Sequence, residues 1–394
     1  MFVGPGAVIG AILFVLALSW TTYAIYLPQL AKAAGIPALF VPWILALDQL
    51  IFALADWASG VYADRTLATM RRLVPTLIAL TLISTIAFAL LPLIGSALGP
   101  DGFFFLTLTW VITTAALRAP PMAMLASYVP PASRQWLASI STLALALAAA
   151  IAPFLAKSIR DLDPRWPFIA AALAVMGAAL CLYYVERTLP KVAAPPPVSQ
   201  LRPWLPPLPA FVALALLLAL GFQAQVLMLR SQLLRSVPKE IIESYLPLFW
   251  GAFAIGGAIA VMVLKHVDVR VAMIVGGVAA AAGASLGATA TTASIVASAH
   301  VVAGTAWGVL LAGLFMVAFT HGSAGRAIGV VFAALALTAC ARIALTAVGW
   351  TGSPIVGERL AWMPSIAWLA GALLVALTAS RTLENQAGGR ATTR

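Results

Sequence analysis

Long apolar segments separated by short polar breaks run through nearly the whole chain. The hydrocarbon core of a bilayer is about 30 Å thick and needs about 20 apolar residues per helix. Twelve segments meet this requirement: 7–31, 38–60, 73–98, 103–128, 136–157, 167–186, 209–234, 245–264, 271–291, 294–320, 327–350 and 360–380. They are too long and too uniformly apolar for the alternating strands of a membrane barrel. The pattern predicts an all-α membrane protein with twelve transmembrane helices.

The composition supports a membrane location. Of the 394 residues, 63% are hydrophobic and 9% are charged, which is more apolar than a soluble domain of this length. The formal net charge of +11 is scattered over short loops, without a basic stripe or interleaved aromatics. We therefore expect contact with anionic membrane lipids and none with nucleic acid.

A Pro-rich connection divides the predicted helices into six and six. It contains Pro195-Pro196-Pro197 and Pro206-Pro207, and such sequences are semi-extended and hold no packed core. We expect two six-helix bundles at 1–188 and 209–380, joined by a linker at 189–208 and followed by a tail at 381–394.

The positive charges predict the orientation. If both termini lie in the cytoplasm, thirteen Lys and Arg side chains lie on that side and eight on the other, with Arg118 and Arg342 inside spans. We expect a multi-pass protein of the bacterial inner membrane with the linker and both termini in the cytoplasm.

A charged segment separates the second and third predicted spans. It begins with Gly60-Val61-Tyr62-Ala63-Asp64-Arg65, and Arg71-Arg72 follow. With twelve spans and a central linker, this Gly-x-x-x-Asp-Arg element resembles the signature of the major facilitator superfamily. A positional counterpart, Lys265 to Arg270, follows the eighth span.

The resemblance implies two helical bundles that move a small solute by alternating access. It also implies a conformational latch formed by Gly60, Asp64, Arg65, Arg71 and Arg72. Asp56, at the same end of the second span, belongs to this region by position. The alternative is an ordinary positively charged loop at the inner leaflet.

Other motifs of the family are eroded. Span four keeps Arg118 but continues Ala119-Pro120-Pro121 in place of the Gln and Gly of many proton-coupled members. Span five keeps Pro153 of an antiporter pattern, with Ala148, Ala152 and Ala156 in place of glycines. These departures weaken an assignment to drug antiport.

Asp48 is the candidate proton carrier. An ionisable residue at mid-depth is costly and rarely faces lipid, so it is a candidate for a proton or substrate path. Arg118 is the nearest plausible cation in the same half. Two interpretations stay open: Asp48 exchanges protons, or it forms a permanent ion pair with Arg118.

Arg118 and Arg342 place one cation inside each half. The guanidinium group suits a carboxylate or phosphate, and the two side chains can close on an anion from opposite sides. Either can instead bind helix carbonyl groups. Four uncharged side chains at mid-depth in spans one, seven and ten are further candidates for substrate contact: Tyr23, Gln223, Gln225 and Trp307.

We therefore predict a proton-coupled secondary transporter of small organic anions. The alternative is a proton-coupled efflux antiporter for drugs or metabolites, favoured if Arg118 is fully paired with Asp48. The sequence has no phosphate-binding loop, zinc motif or dinucleotide fingerprint, so we expect a non-enzyme without cofactor or metal. We expect a monomer whose partners are its substrate, protons and lipids.

Overall fold

The computed structural model describes residues 3–68, 73–130, 133–188, 204–238, 241–350 and 354–391. Their helices are α1 (Val3–Ala33), α2 (Val41–Ala68), α3 (Val74–Ile94), α4 (Gly99–Ala115), α5 (Ala119–Tyr128), α6 (Arg134–Ile159), α7 (Arg165–Thr188), α8 (Leu208–Ser236), α9 (Ile242–His266), α10 (Val269–Thr289), α11 (Ala293–Thr320), α12 (Ala324–Ala347) and α13 (Pro354–Ala391). A single 3₁₀ turn, Ala38–Phe40, precedes α2. Within the described ranges all regular secondary structure is helical, as predicted.

These helices provide twelve spans that are long and apolar enough to cross a membrane. Helices α4 and α5 together form the fourth span, 99–128. The break between them falls at Ala116 to Arg118, before Pro120 and Pro121, because proline lacks the backbone donor that would continue the helix. The predicted number of spans is confirmed.

The second span is longer than predicted. We expected it to end at Gly60 and the charged residues to form a loop, but α2 continues to Ala68. Asp64 and Arg65 are therefore helical. The helix continues past its apolar segment because Asp64, in its last two turns, binds the start of α12, and the hydrophobic pattern does not reveal this contact.

Consecutive spans cross in opposite directions, so the end of α2 and the start of α12 share one face of the molecule. We call it the near face, and the opposite face, where α1 ends, the far face. In the described residues, the first six spans meet the last six mainly where α2 packs on α12 and α6 packs on α9, with smaller contacts of α6 on α11 and of α5 on α12. Gly257 of α9 lies against the backbone of Leu143 in α6.

Part of the linker packs on the second half. Trp204 is buried in the same hydrophobic core as Phe211. The His321 ring stands 5.4 Å from that of Phe211, and its side chain hydrogen-bonds to the backbone of Pro206. Burial at this site lowers the pKa of His321, because it disfavours the charged imidazolium. Residues 189–203 lie outside the described part of the chain.

Candidate functional site

The two halves meet closely at the near face, where glycines of α2 and α12 face each other. A Cβ atom on Gly60 would overlap the carbonyl of Gly325, and one on Gly325 would overlap the carbonyl of Gly60. One turn further along α12, a Cβ on Gly329 would lie 2.6 Å from the carbonyl oxygen of Asp56. The helices approach to backbone contact here, which only glycine permits.

Asp64 binds the first turn of α12. Its Oδ1 accepts a hydrogen bond of 2.7 Å from the Gly325 N–H, and its Oδ2 accepts one of 2.8 Å from the Arg326 N–H. The first N–H groups of a helix have no partner within the helix and carry a partial positive charge. The carboxylate therefore ties the end of α2 to the start of a helix in the other half.

Replacing Asp64 with alanine is expected to weaken this contact. Loss of a carboxylate that caps a helix costs about 0.5–2 kcal/mol, so the population with an open near face should rise about two- to thirtyfold. Spin labels at Ser127 and Lys265, exposed near-face positions in different halves, measure the separation by pulsed electron resonance. An unchanged distance distribution would contradict the role of Asp64.

The predicted latch also includes the arginines that follow Asp64. Arg65 is exposed and follows Asp64 in the last turns of α2. Arg71 and Arg72 lie outside the described residues, so their part in the latch stays a prediction.

The corresponding segment of the second half, Lys265 to Arg270, makes a local contact. Asp268 caps its own helix, α10, by accepting hydrogen bonds from the backbone N–H, Nε and Nη2 of Arg270. The Arg270 side chain holds the pKa of Asp268 below its ordinary value. The two charged segments therefore differ in their contacts: Asp64 bonds across to the other half, whereas Asp268 bonds within its own.

Asp48 is buried in the first half with one neutral partner. The Tyr23 hydroxyl donates a hydrogen bond of 2.9 Å to Asp48 Oδ2. Among the described residues, Oδ1 has no hydrogen-bond partner. The Tyr23 ring lies 4.7 Å from that of Trp110 and 5.5 Å from that of Trp20. Tyr23, predicted to contact substrate, is thus fully buried and bound to Asp48.

The ion pair considered for Asp48 and Arg118 is wrong. Arg118 Nη2 lies 2.7 Å from Oδ2 of Asp56, two turns further along α2. Eight residues correspond to about 12 Å along a helix, so Arg118 meets α2 at a different depth from Asp48. The backbone of Asp56 therefore lies at the near-face contact with Gly329, and its side chain pairs with Arg118.

Arg118 also touches both halves of the protein. Its guanidinium carbon lies 4.3 Å from the centroid of the Phe52 ring in α2 and 5.5 Å from that of Phe332 in α12. A guanidinium over an aromatic face is attracted by the ring. The Arg118 side chain is 20% exposed, whereas Asp56 is fully buried.

Arg342 has no acidic partner within 4 Å among the described residues. Its Nε donates a hydrogen bond of 2.8 Å to Oε1 of Gln223 in α8. The side chain is half-buried. Two of the predicted substrate residues therefore lie together, on α8 and α12.

The structure does not bring Arg342 and Arg118 together. Phe332, which contacts Arg118, and Arg342 are ten residues apart on α12, or about 15 Å along its axis. In addition, Arg118 is already neutralised by Asp56. The predicted clamp of two arginines on one small anion is therefore not formed in this conformation.

Gln225 lies on a different face of α8 from Gln223. Its Nε2 donates to Oε1 of Gln232 at 3.3 Å, and the same oxygen lies 3.0 Å from Nε2 of His300. All three residues are buried inside the second half. Gln225 and Gln223 do not share a site in this conformation, because side chains two positions apart on a helix point about 200° apart. Contact of Gln225 with substrate stays a prediction.

Trp307 is fully buried and stacks on Phe222, with ring centroids 4.6 Å apart and planes 8° apart. Phe222 in turn lies 6.0 Å from the half-buried Trp250. Trp307 thus supports an aromatic cluster and is closed to a solute in this conformation, and its contact with substrate stays a prediction.

Sequence reasoning missed the partners in α12. Gly325 and Gly329 form a Gly-x-x-x-Gly spacing that marks close helix packing, so a signal for them was present. For Phe332 there was none, because nothing in the sequence distinguishes it from the other aromatic residues of the spans.

The comparisons with known proteins agree with this architecture. The sequence model of the Major Facilitator Superfamily matches residues 9–341. No relative is found among curated protein sequences.

Solved structures of the same fold are numerous. The transporter FucP in its outward conformation aligns with a TM-score of 0.73 at 11% identity, covering 96% of this chain and 99% of that one. The proton:xylose symporter XylE aligns with a TM-score of 0.68 at 11% identity, covering 94% of each chain. The human organic anion transporter MFSD10 aligns with a TM-score of 0.64 at 15% identity, covering 95% and 98%. The protein belongs to the major facilitator superfamily of membrane transporters.

Proposed function

We propose that this transporter is a proton-coupled carrier of small organic anions. It works by alternating access, as a monomer, in a bacterial inner membrane with the near face in the cytoplasm. Arg342 binds the anionic group of the substrate, and Asp48 carries the proton.

The observation that carries this proposal is that Arg342 lies inside a span without an acidic partner among the described residues. A cation inside a span is costly unless it is paired or faces water, and the described residues give Arg342 only the neutral oxygen of Gln223. The guanidinium has five N–H donors in a planar fork that matches a carboxylate. One of them is used by Gln223, which fixes the orientation of the fork and leaves the others for a ligand.

Asp48 suits proton coupling for a different reason. Its carboxyl group is fully buried, has a neutral hydrogen-bond partner and lacks a neighbouring cation within 4 Å in the described chain. The cost of burying an unpaired charge is large. Gain or loss of a single proton at Asp48 therefore changes the energy of this buried site strongly.

The related structures support transport in general and leave the solute open. One of them is an organic anion transporter, and another is a proton:xylose symporter. The choice of an anion comes from Arg342.

A thermal-shift screen tests the substrate class. Small carboxylates are expected to raise the melting temperature of the purified protein, because a ligand that binds only the folded state stabilises it. Arg342→Gln should abolish this shift. Arg342→Lys should weaken binding about ten- to a hundredfold, because lysine keeps the charge but loses the planar fork.

The matched control is Arg165→Lys, at an exposed position at the start of the sixth span where the side chain faces Asp163. It should leave ligand binding unchanged. Carboxylates that stabilise wild type and Arg342→Gln equally would refute the anion site. Stabilisation by lipophilic cations alone would favour the efflux antiporter.

A further inference from the structure

We propose that Asp56 is a second proton-binding site, and that protonation there releases Arg118 from Phe332 and opens the near face. The inference rests on the proposed proton coupling but concerns a different carboxyl group. Asp48 would couple protons to the solute, whereas Asp56 would couple protons to the contact between the halves.

The location of Asp56 supports this role. Its carbonyl oxygen lies one turn from the Gly60–Gly325 contact of α2 and α12, where a Cβ on Gly329 would lie 2.6 Å from it. Its side chain is fully buried and faces the Arg118 guanidinium at 2.7 Å. A change of charge at Asp56 therefore occurs inside the contact that holds the near face closed.

Arg118 links this charge to the other half. Its guanidinium lies close to rings of both halves, Phe52 at 4.3 Å and Phe332 at 5.5 Å. Phe332 follows Gly329 by one turn of α12, so the cation–π contact adjoins the glycine contact. Asp56 keeps Arg118 in this place, because the anion compensates for the burial of the cation.

The proton step is a simple exchange. A proton from water binds a carboxylate oxygen of Asp56 and gives a neutral carboxyl group, while arginine remains charged at every accessible pH. Breaking a buried pair by neutralising one member is strongly unfavourable, because the other charge is left uncompensated. Arg118 is partly exposed, so it can turn toward water and away from Phe332.

The backbone around Arg118 permits this movement. Arg118 immediately precedes α5, at the break in the fourth span. Pro120 and Pro121 leave the neighbouring turn without regular helix hydrogen bonds. A shift of Arg118 therefore needs no disruption of a continuous helix.

Other charged groups are distant from Asp56. On α2 itself, Asp48 and Asp64 are eight residues away in either direction, or about 12 Å along the axis. From α12, Arg326 lies at the near-face end, and Arg342 lies ten residues beyond Phe332. On α4, Asp101 is in the first turn at the far face.

The aromatic hydroxyl of α1 that faces α2, Tyr23, is bound to Asp48. Of the ionisable side chains in the described residues, Arg118 is therefore the ion-pair partner of Asp56.

Spin-label distances test the inference without substrate. Cysteines at Ser127 and Lys265, with Cys181 and Cys340 replaced by alanine, report the near-face separation in lipid nanodiscs between pH 5 and pH 8. In the otherwise wild-type chain, the ratio of open to closed populations should rise at least about tenfold as the pH falls. Asp56→Asn should favour the open state at every pH. Its ratio of open to closed populations should change less than about twofold between pH 5 and pH 8.

Two variants keep the test decisive. Asp56→Asn/Arg118→Gln replaces the ion pair with two amides, avoids an uncompensated cation and should also lose the pH response. It replaces the single variant if that one fails to fold. Phe332→Leu removes the aromatic face but keeps the ion pair, and should raise the open population at pH 8.

A pH response that persists in Asp56→Asn, or in the double variant, overturns the inference. If Asp48→Asn removes that response in the same assay, the proton acts on the near face through Asp48 and this inference fails, while the proposed function stands. A failed ligand screen would refute the anion carrier and leave the distance measurements valid.

Discussion

Gly60→Ala is expected to hold the near face apart and reduce transport to less than about a tenth of wild type. The new methyl group would meet the backbone carbonyl of Gly325, and a backbone atom cannot rotate away as a side chain does. Overpacking of this kind costs about 1–3 kcal/mol. The closed near face should therefore lose population by about five- to a hundred-and-fiftyfold.

The measurement pairs transport with the near-face distance between labels at Ser127 and Lys265. Alternating access requires each face to close in turn, so a carrier that cannot close the near face should still bind solute but complete few cycles. Binding by thermal shift should remain within about threefold of wild type.

Gly177→Ala is the matched control. A Cβ on Gly177 of α7 would have no atom of the described protein within 4 Å, so the same substitution tests the loss of glycine without a collision. It should transport normally. Normal transport and distances in Gly60→Ala would show that α2 and α12 do not need this approach.

The helices of this fold can be predicted because the interactions that form each one lie within its own segment of the sequence. Each span must satisfy its backbone hydrogen bonds within itself and be long enough for the bilayer, and both requirements are visible in the sequence. The extension of α2 beyond Gly60 is not visible. It depends on the start of α12, more than 250 residues later in the chain.

Some side-chain contacts can likewise be predicted from the sequence, and others cannot. Asp48 and Asp56 lie on nearly one side of α2, so spacing alone does not determine which of them meets Arg118. The break before α5 sets the depth of Arg118, and with it the partnership with Asp56. For Gln223 and Gln225, helical periodicity already places the two on different faces, and that signal was available in the sequence.

Asp48→Asn is expected to abolish solute accumulation driven by a pH gradient. Asparagine has nearly the same shape and can accept the Tyr23 hydrogen bond, but it cannot bind and release a proton. The ratio of inside to outside solute in proteoliposomes should fall from above about ten to about one, because without coupling the gradient supplies no free energy to the solute.

Exchange of labelled for unlabelled solute separates coupling from damage. It needs binding and alternation of the two faces but no net proton movement, so Asp48→Asn should retain it within about threefold. Asp48→Glu, which keeps a titratable group, should recover part of the accumulation. Gradient-driven accumulation that persists in Asp48→Asn would remove Asp48 from the proton path.

The same assays distinguish Asp48 from Asp56. If the two carboxyl groups have separate tasks, Asp48→Asn stops accumulation but leaves the pH response of the near face, because the hydrogen-bond partner of Asp48 is Tyr23 of α1 in its own half. Asp56→Asn should remove that response, because Asp56 holds the cation that contacts Phe332. Loss of both properties in either variant would mean that one proton serves both sites.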